Sequence, residues 1–556
     1  MIIKVSRALI RKRQYIILIL FVTMLVALCG RMVQYQYIGS SKLSVMADSQ
    51  YSYKEDITDT NYLLFDSNGK QLINYNKKYY AVISPDIFTR NNLDADSDQT
   101  LTLIYTLRNY NDNYDLSKND VLSSSKKLYY EIDESTYNKL KNIKDVKGFY
   151  TYEYSAADKD GVWKLENLLI NPRRTDNSAL KSNDSLEMQI YNKTKDNKKP
   201  QIVFNRDVNG NIIDEKTELP QNNMNVRLTV DKNIEEKIKE ILNSEKNKDF
   251  TQIGVVLMEA STGKIKAMVQ KDDTKPNVNI GAATNNGFFA GSIFKIIVEE
   301  AGLDRKSINV NDTFTCRGLY ENEKHEKHGT LTIEEAFKVS CNDIFSQVGS
   351  KVGFNNFYDN AKSQGLMEKV LGFDSEKSGN FEVKDAKNSD GTLGIASIGQ
   401  SIRITPIESI SIANTVVNNG MYVKPHIVEA YVDDSNNEIE ILKTEQLPVI
   451  EKSTASIIKK QMISVVKEGT AQAAYMDNVE IGGKTGTTER IELSKQTGKA
   501  EEHSDGWFVG FFKVDGKYYS MVVFIQDIDK DKDSGGNTSA PIFKDVVNGV
   551  VQYLKN

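Results

Sequence analysis

Phe289-Ala-Gly-Ser-Ile-Phe-Lys295, Ser340-Cys-Asn342 and Lys484-Thr-Gly-Thr487 follow one another along a single chain, and their joint presence decides the fold. Alone, each triplet carries little weight, because short motif matches arise by chance in a chain rich in Ser and Lys. Together they supply a hydroxyl nucleophile with a lysine, a second Ser with an amide neighbour, and a cation beside two hydroxyls. Those are the walls of a serine acyl-transfer site.

Residues three apart are neighbours on a helix, so Ser292 and Lys295 are expected on one face, one turn apart. A Ser hydroxyl needs a base, and Lys295 would serve once desolvation and the charge of Lys484 lowered its pKa. Gly291-Ser292 at a helix start would aim backbone N–H groups at a developing oxyanion, with a second donor from the strand of Thr487. Ser340 would relay protons to a leaving amine, and Asn342 would hold a peptide backbone. Read as local structure, the same Ser340 to Asn342 stretch is a capped helix turn. Lys484, Thr485, Gly486 and Thr487 suit a substrate that ends in a carboxylate, with Gly486 permitting close approach.

Around these motifs the chain reads as α+β. Asp231 is expected to cap an amphipathic helix over 234–242, with Ile234, Ile238, Ile241 and Leu242 on one face. A hairpin follows over 253–258 and 265–269, strands return near 518–525, and a helix over 540–554 closes the chain. This predicts helices packed on a mostly antiparallel sheet over 226–556. Residues 34–225 are rich in Asp, Asn, Lys, Ser and Tyr, and runs such as Tyr62-Leu-Leu-Phe65 and Leu101-Thr-Leu-Ile-Tyr105 predict an elongated, β-rich pedestal.

At 556 residues the chain is too long for one core. With 71 basic against 76 acidic residues the net charge is -5, which points away from nucleic acid. Lys4, Arg7, Arg11, Lys12 and Arg13 precede an apolar run from Tyr15 to Cys29. It reads as a single membrane anchor over 15–33, with a cytoplasmic tail over 1–14 and everything beyond it extracytoplasmic. A cleaved signal peptide and a lipoprotein ending at Cys29 are the alternatives. The run is about 15 residues long, so spanning requires extension through Met32-Val33.

Cys316, His325, His328 and Cys341 fall within a short stretch and form a sufficient set for tetrahedral Zn, with Asp312 or a Glu from Glu321 to Glu326 able to replace one His. A Cys316–Cys341 disulfide, or two free thiols, are the competing readings.

The whole pattern resembles a class B penicillin-binding protein, a membrane-anchored peptidoglycan D,D-transpeptidase. Val255-Val-Leu-Met-Glu-Ala-Ser-Thr-Gly-Lys-Ile-Lys-Ala-Met268, Gly399-Gln400 with Thr405-Pro406, Glu468-Gly-Thr-Ala471, Trp507-Phe-Val-Gly510 and Gly535-Gly536 before Ala540-Pro541 resemble landmarks of that family. The pedestal resembles it through Phe65-Asp-Ser-Asn-Gly69 and Ser185-Leu-Glu-Met188. The resemblance implies a β-lactamase/transpeptidase-like domain in which Ser292 is acylated, Lys295 is its base, and Ser340 and Asn342 line the cleft. It further implies that Lys484, Thr485 and Thr487 bind the terminal carboxylate of a D-Ala-D-Ala stem, with an oxyanion hole at the N–H groups of Ser292 and Thr487. β-Lactams would be covalent inhibitors and a glycosyltransferase would be the partner. Ala290 replaces the usual Pro, Ile293 the usual Thr and Ser401 a frequent Gly. No His precedes His325, against a fused glycosyltransferase. A β-lactamase or β-lactam sensor with the same serine site is the alternative, although no Glu-rich loop resembles a deacylating base. An inactive scaffold would not need all three motifs intact.

Overall fold

The computed structural model describes residues 7–38, 51–92, 97–118, 122–123, 126–174, 177–207, 209–320, 327–493 and 500–555. The chain begins with a helix, Arg7–Val33, that runs on into a π-helical turn, Gln34–Ile38. Its apolar span, Arg11–Gln36, is 26 residues long and leaves its whole surface outside the protein. At 1.5 Å per residue that is about 39 Å, longer than a hydrocarbon core of about 30 Å. The helix is therefore long and apolar enough to cross a membrane, and it runs beyond the 15–33 bounds expected.

The chain folds as two compact units that interleave: 1–59, 75–157 and 199–220 in one; 60–74, 158–198 and 221–556 in the other. The single boundary expected between 225 and 226 does not describe this division. Backbone pairing is the reason. Leu64–Phe65 adds as a parallel strand to Asn225–Leu228, which continues antiparallel to Val428–Val432. Leu186 N–H donates to Gly372 O at 2.8 Å and Trp163 N–H to Asp273 O at 3.1 Å, fastening 158–198 to the same unit.

In the first unit, Tyr75–Ile83 is the central strand between Leu128–Ile132 and Phe149–Ala157, all antiparallel. Tyr79, Ala81 and Ile83 pack with Leu103, Leu107 and Leu140 on one face. On the other, Val82, Tyr150 and Tyr152 meet Tyr53 and Phe204 of a second three-stranded sheet. The strand expected at Leu101 to Tyr105 is instead part of a helix, Ser97–Tyr110. Leu103 and Leu107 are the buried pair four residues apart, a helical period that the short apolar run concealed. Helices Pro85–Asn91 and Glu134–Leu140 likewise make this unit mixed rather than β-rich.

The second unit is built on a five-stranded antiparallel sheet in the order Ile265–Gln270, Gln252–Glu259, Lys517–Ile528, Ala500–Val514, Ile481–Leu493. The expected hairpin forms its first pair, and Asp231 caps Lys232–Leu242 by accepting from Asn233 N–H and Ile234 N–H. Period-two alternation divides the sheet. Phe508 and Phe512 contact Phe543 of the terminal helix Ser539–Leu554, whereas Trp507 turns the other way and donates from Nε1 to Phe289 O at 3.0 Å. The latter face is covered by Pro406–Val417, where Ser520 Oγ donates to Asn414 Oδ1 at 3.0 Å, while Lys452–Glu468 packs on Ile481–Leu493 and against Lys295–Asp304. Helices thus lie on both faces of an antiparallel sheet, the α+β architecture read from the sequence.

Candidate active site

Ser292 sits in a 3-10 turn, Gly291–Phe294, that leads into the helix Lys295–Asp304. Side chains three apart nearly eclipse in a 3-10 turn, which keeps Ser292 and Lys295 on one side. Ser292 is half-buried and Lys295 fully buried. The turn requires Gly291, whose φ is +56°, and a Cβ there would meet Thr487 O at 2.9 Å. Gly291 N–H donates to Gly399 O at 3.0 Å, so the Ser292 turn is held between Gly399 and the strand of Thr487.

Ser340 lies between two helices, Ile333–Val339 and Asn342–Val352. It adopts φ +60°, a left-handed conformation costly for a residue with a Cβ, and Cys341 caps the second helix by accepting from Ile344 N–H at 3.4 Å. The capped turn is therefore the scaffold of the motif and not an alternative to it. Lys295 Nζ donates to Ser340 O at 2.6 Å, Asn342 Oδ1 at 2.7 Å and Ser340 Oγ at 3.2 Å. Lys484 Nζ approaches the same Ser340 Oγ at 2.8 Å. Burial, and then the charge of Lys295, hold the Lys484 ammonium well below the usual lysine range. The sequence invoked this repulsion to free a proton at Lys295; in the structure it lowers Lys484.

Lys484 occupies the edge strand Ile481–Leu493, opposite Val509, on the face that Trp507 shares. Thr485 and Thr487 take the other side. Thr485 Oγ1 lies 2.7 Å from Thr470 Oγ1, and Thr487 Oγ1 accepts from Gly535 N–H at 3.1 Å. A Cβ on Gly486 would press on Ile293 Cγ2 at 3.1 Å and Ala290 O at 3.2 Å, so this glycine lets the strand lie against the nucleophile turn. The structure thus gathers Ser292, Lys295, Ser340, Asn342 and the strand from Lys484 to Thr487 into one site.

Four supporting residues lie outside the three motifs. Asp343, fully buried, accepts from Arg317 N–H, from Leu319 N–H at 3.3 Å and from Gln347 Nε2 at 2.9 Å. Tyr320 O accepts from Asn342 Nδ2 at 3.1 Å, so both ends of the Asn342 amide are held. Thr470 and Gly535 complete the set. The latter two fall within stretches that resembled family landmarks; nothing in the sequence marked Tyr320.

Cys316, His328 and Cys341 bring their ligand atoms within 4.8 Å of one another, the one such group of three or more among the described residues. Cys316 Sγ is 3.7 Å from His328 Nδ1. Cys316 and Cys341 are both buried and share no disulfide, so the expected alternative of a Cys316–Cys341 bridge is not formed. Asp312 is elsewhere, paired with Lys351 at 3.1 Å. His325 and the acidic residues from Glu321 to Glu326 lie outside the described residues.

Residues 253–548 match the family model described as "Penicillin binding protein transpeptidase domain". Over 99% of its length the chain is 24% identical to Stage V sporulation protein D of Bacillus subtilis, covering 87% of that relative. It is 21% identical to the peptidoglycan D,D-transpeptidase FtsI homolog of Mesostigma viride, over 74% of each chain. The fold is similar to that of a peptidoglycan synthetase from Bifidobacterium adolescentis, with a TM-score of 0.62 at 15% identity over 90% of this chain and 97% of the other. Penicillin-binding protein 3 of Mycobacterium tuberculosis, in complex with aztreonam, gives 0.59 at 15% identity over the same shares. With the matched model spanning more than half of its residues, the chain belongs to the penicillin-binding protein transpeptidase family, as its resemblance to the class B members implied.

Proposed function

We propose that this chain is a serine D,D-transpeptidase that cross-links peptidoglycan stem peptides and is acylated by β-lactams. The observation that carries the reading is the convergence of Lys295 and Lys484 on Ser340 Oγ beside the Ser292 turn. Ser292 Oγ attacks the carbonyl carbon of the penultimate D-Ala, and Lys295 takes the hydroxyl proton. Ser340, bridging the two lysines, passes a proton to the departing D-Ala amine. Backbone N–H groups of Ser292 and Thr487 bind the oxyanion, and Lys484 with Thr485 and Thr487 binds the terminal carboxylate. An acceptor amine then attacks the acyl-enzyme, proton transfers run in reverse, and Ser292 is released.

Penicillin treatment followed by mass spectrometry tests this. A stable adduct on Ser292, absent from Ser292→Ala, is expected; an adduct in the variant refutes the assignment, and rapid release of hydrolysed penicillin would favour a β-lactamase. The helix at 7–33 is read as a single-pass anchor with the catalytic unit outside the cytoplasm, beside a glycosyltransferase partner that supplies glycan strands.

Cys316, His328 and Cys341 fit a structural zinc, offering two thiolates and one imidazole at ligand spacing; His325 is assigned as fourth ligand from its place in the sequence. Because Cys341 lies between Ser340 and Asn342, the metal would brace the catalytic turn without touching substrate.

A further inference from the structure

A cavity of about 280 Å³ opens within the second unit, between Trp163, the helix Lys232–Leu242 and the strand Ile265–Gln270. None of the residues assigned to catalysis lines it. Its walls are apolar at Leu72, Trp163, Leu165 and Met268, and Glu166 and Glu235 face the space.

The charges around this cavity are unevenly committed. Lys239 Nζ donates to Gln270 O at 2.7 Å, Lys271 O at 2.9 Å and Asp273 Oδ2 at 2.6 Å, which uses all three of its protons. Lys232 Nζ is turned to Gln71 O at 3.2 Å and Asn74 Oδ1 at 3.4 Å. Glu235 accepts from Met268 N–H at 3.2 Å through Oε1. Burial pushes the Glu166 carboxyl up, and burial together with the charge of Glu166 pushes Glu235 well up. Two acids thus face the cavity beside an indole; Lys239 and Lys232 are turned to protein acceptors, and Lys164, which also lines the cavity, offsets part of the rise at Glu166. An entering cation would replace the repulsion between the acids by two attractions and would lie against the indole face.

We propose that this cavity binds a primary alkylammonium group, the side-chain amine of a peptidoglycan stem peptide, with Trp163 against the cation and Glu166 and Glu235 as its counter-charges. The choice of stem peptide rests on the transpeptidase reading, since cross-linking needs stems that carry a free amine; the ammonium chemistry does not.

Trp163 makes the test direct, because the chain has two tryptophans and the other, Trp507, is fully buried in the sheet. Detergent-solubilised full-length Ser292→Ala protein, unable to turn over substrate, is titrated with n-pentylamine and with n-pentanol while fluorescence is followed. A saturable change with the amine, at least tenfold weaker with the alcohol and in Glu166→Gln/Glu235→Gln, is expected. Calorimetry in two buffers of different ionisation enthalpy should show proton release on amine binding, as the acids ionise. Equal response to amine and alcohol, or binding unchanged in the double Gln variant, overturns the site. Should the double variant misfold, Trp163→Phe read by calorimetry replaces it, and undiminished amine affinity there overturns the indole contact. A stem peptide bearing the amine should bind at least tenfold more tightly than its N-acetylated form. Pentylamine binding without that preference overturns the stem-peptide assignment. Penicillin acylation of Ser292 in the parent protein reports separately on the transpeptidase reading.

Discussion

Glu299 lies four residues after Lys295 on the same helix and has no exposed surface. Neither of its carboxyl oxygens has a hydrogen-bond partner in the structure; Gln461 is close enough to offset part of the burial but outside bonding geometry. Burial pushes its pKa up from 4.5 to about 8. The folded protein therefore keeps a proton over a range in which the unfolded chain has already lost it. Stability must fall as pH rises through that window, by about 1.4 kcal/mol per pH unit for one group. Between pH 5.5 and 7.5 the loss attributable to Glu299 is about 2.7 kcal/mol. Gln has the same shape and no charge, so Glu299→Gln should remove this contribution. Urea unfolding followed by tryptophan fluorescence measures it, since Trp163 and Trp507 both belong to the second unit. The stability difference between variant and parent should grow by roughly 2 to 3 kcal/mol across that pH interval. A difference that does not change with pH would refute the claim that a buried, proton-retaining acid sits one helical turn from Lys295.

Lys295→Arg should leave the fold intact and abolish acylation by a fluorescent penicillin, because Arg keeps the charge but cannot act as a base at neutral pH; acylation at a tenth of the parental rate or more would show that Lys295 supplies charge alone. Chelation should lower the melting temperature and slow acylation together if Cys316, His328 and Cys341 hold zinc, and elemental analysis of untagged protein should find about one zinc per chain; insensitivity to chelators would remove the metal. Gly399→Ala would place a Cβ 2.0 Å from Gly291 O at a φ of +80°, so acylation should fall more than tenfold with a stability loss of about 2 kcal/mol or more; an unaffected acylation rate would mean that the nucleophile turn does not depend on Gly399. Asp343→Ala should release the Arg317 to Tyr320 backbone from the Asn342 turn and be rescued in part by Asn, read as the acylation rate of the two variants.

The local elements of the second unit were legible because their signals are short-range. Asp231 before an apolar helical stripe, alternating residues in the hairpin, and three motifs in order needed no knowledge of distant contacts. The helix through Leu103 and Leu107 was misread as a strand, since a run of five residues holds too little of a helical period to exclude one. Segment membership was also beyond local reading. Residues 60–74 and 158–198 join the second unit through strand pairing and backbone hydrogen bonds to partners far along the chain.

At the site, residue types and spacing picked out the side chains that the fold brings together, since the proposed nucleophile, base and carboxylate-binding strand each demand particular groups. The tertiary structure alone decided their electrostatics and their support. Lys484 is depressed because its strand brings it, buried, beside Lys295 from a helix nearly two hundred residues earlier. The hold of Tyr320 on Asn342 and the packing of Gly291 against Thr487 likewise depend on close approach between separate segments. A one-dimensional pattern names the groups; desolvation, charge repulsion and contact distance exist only once the chain has folded.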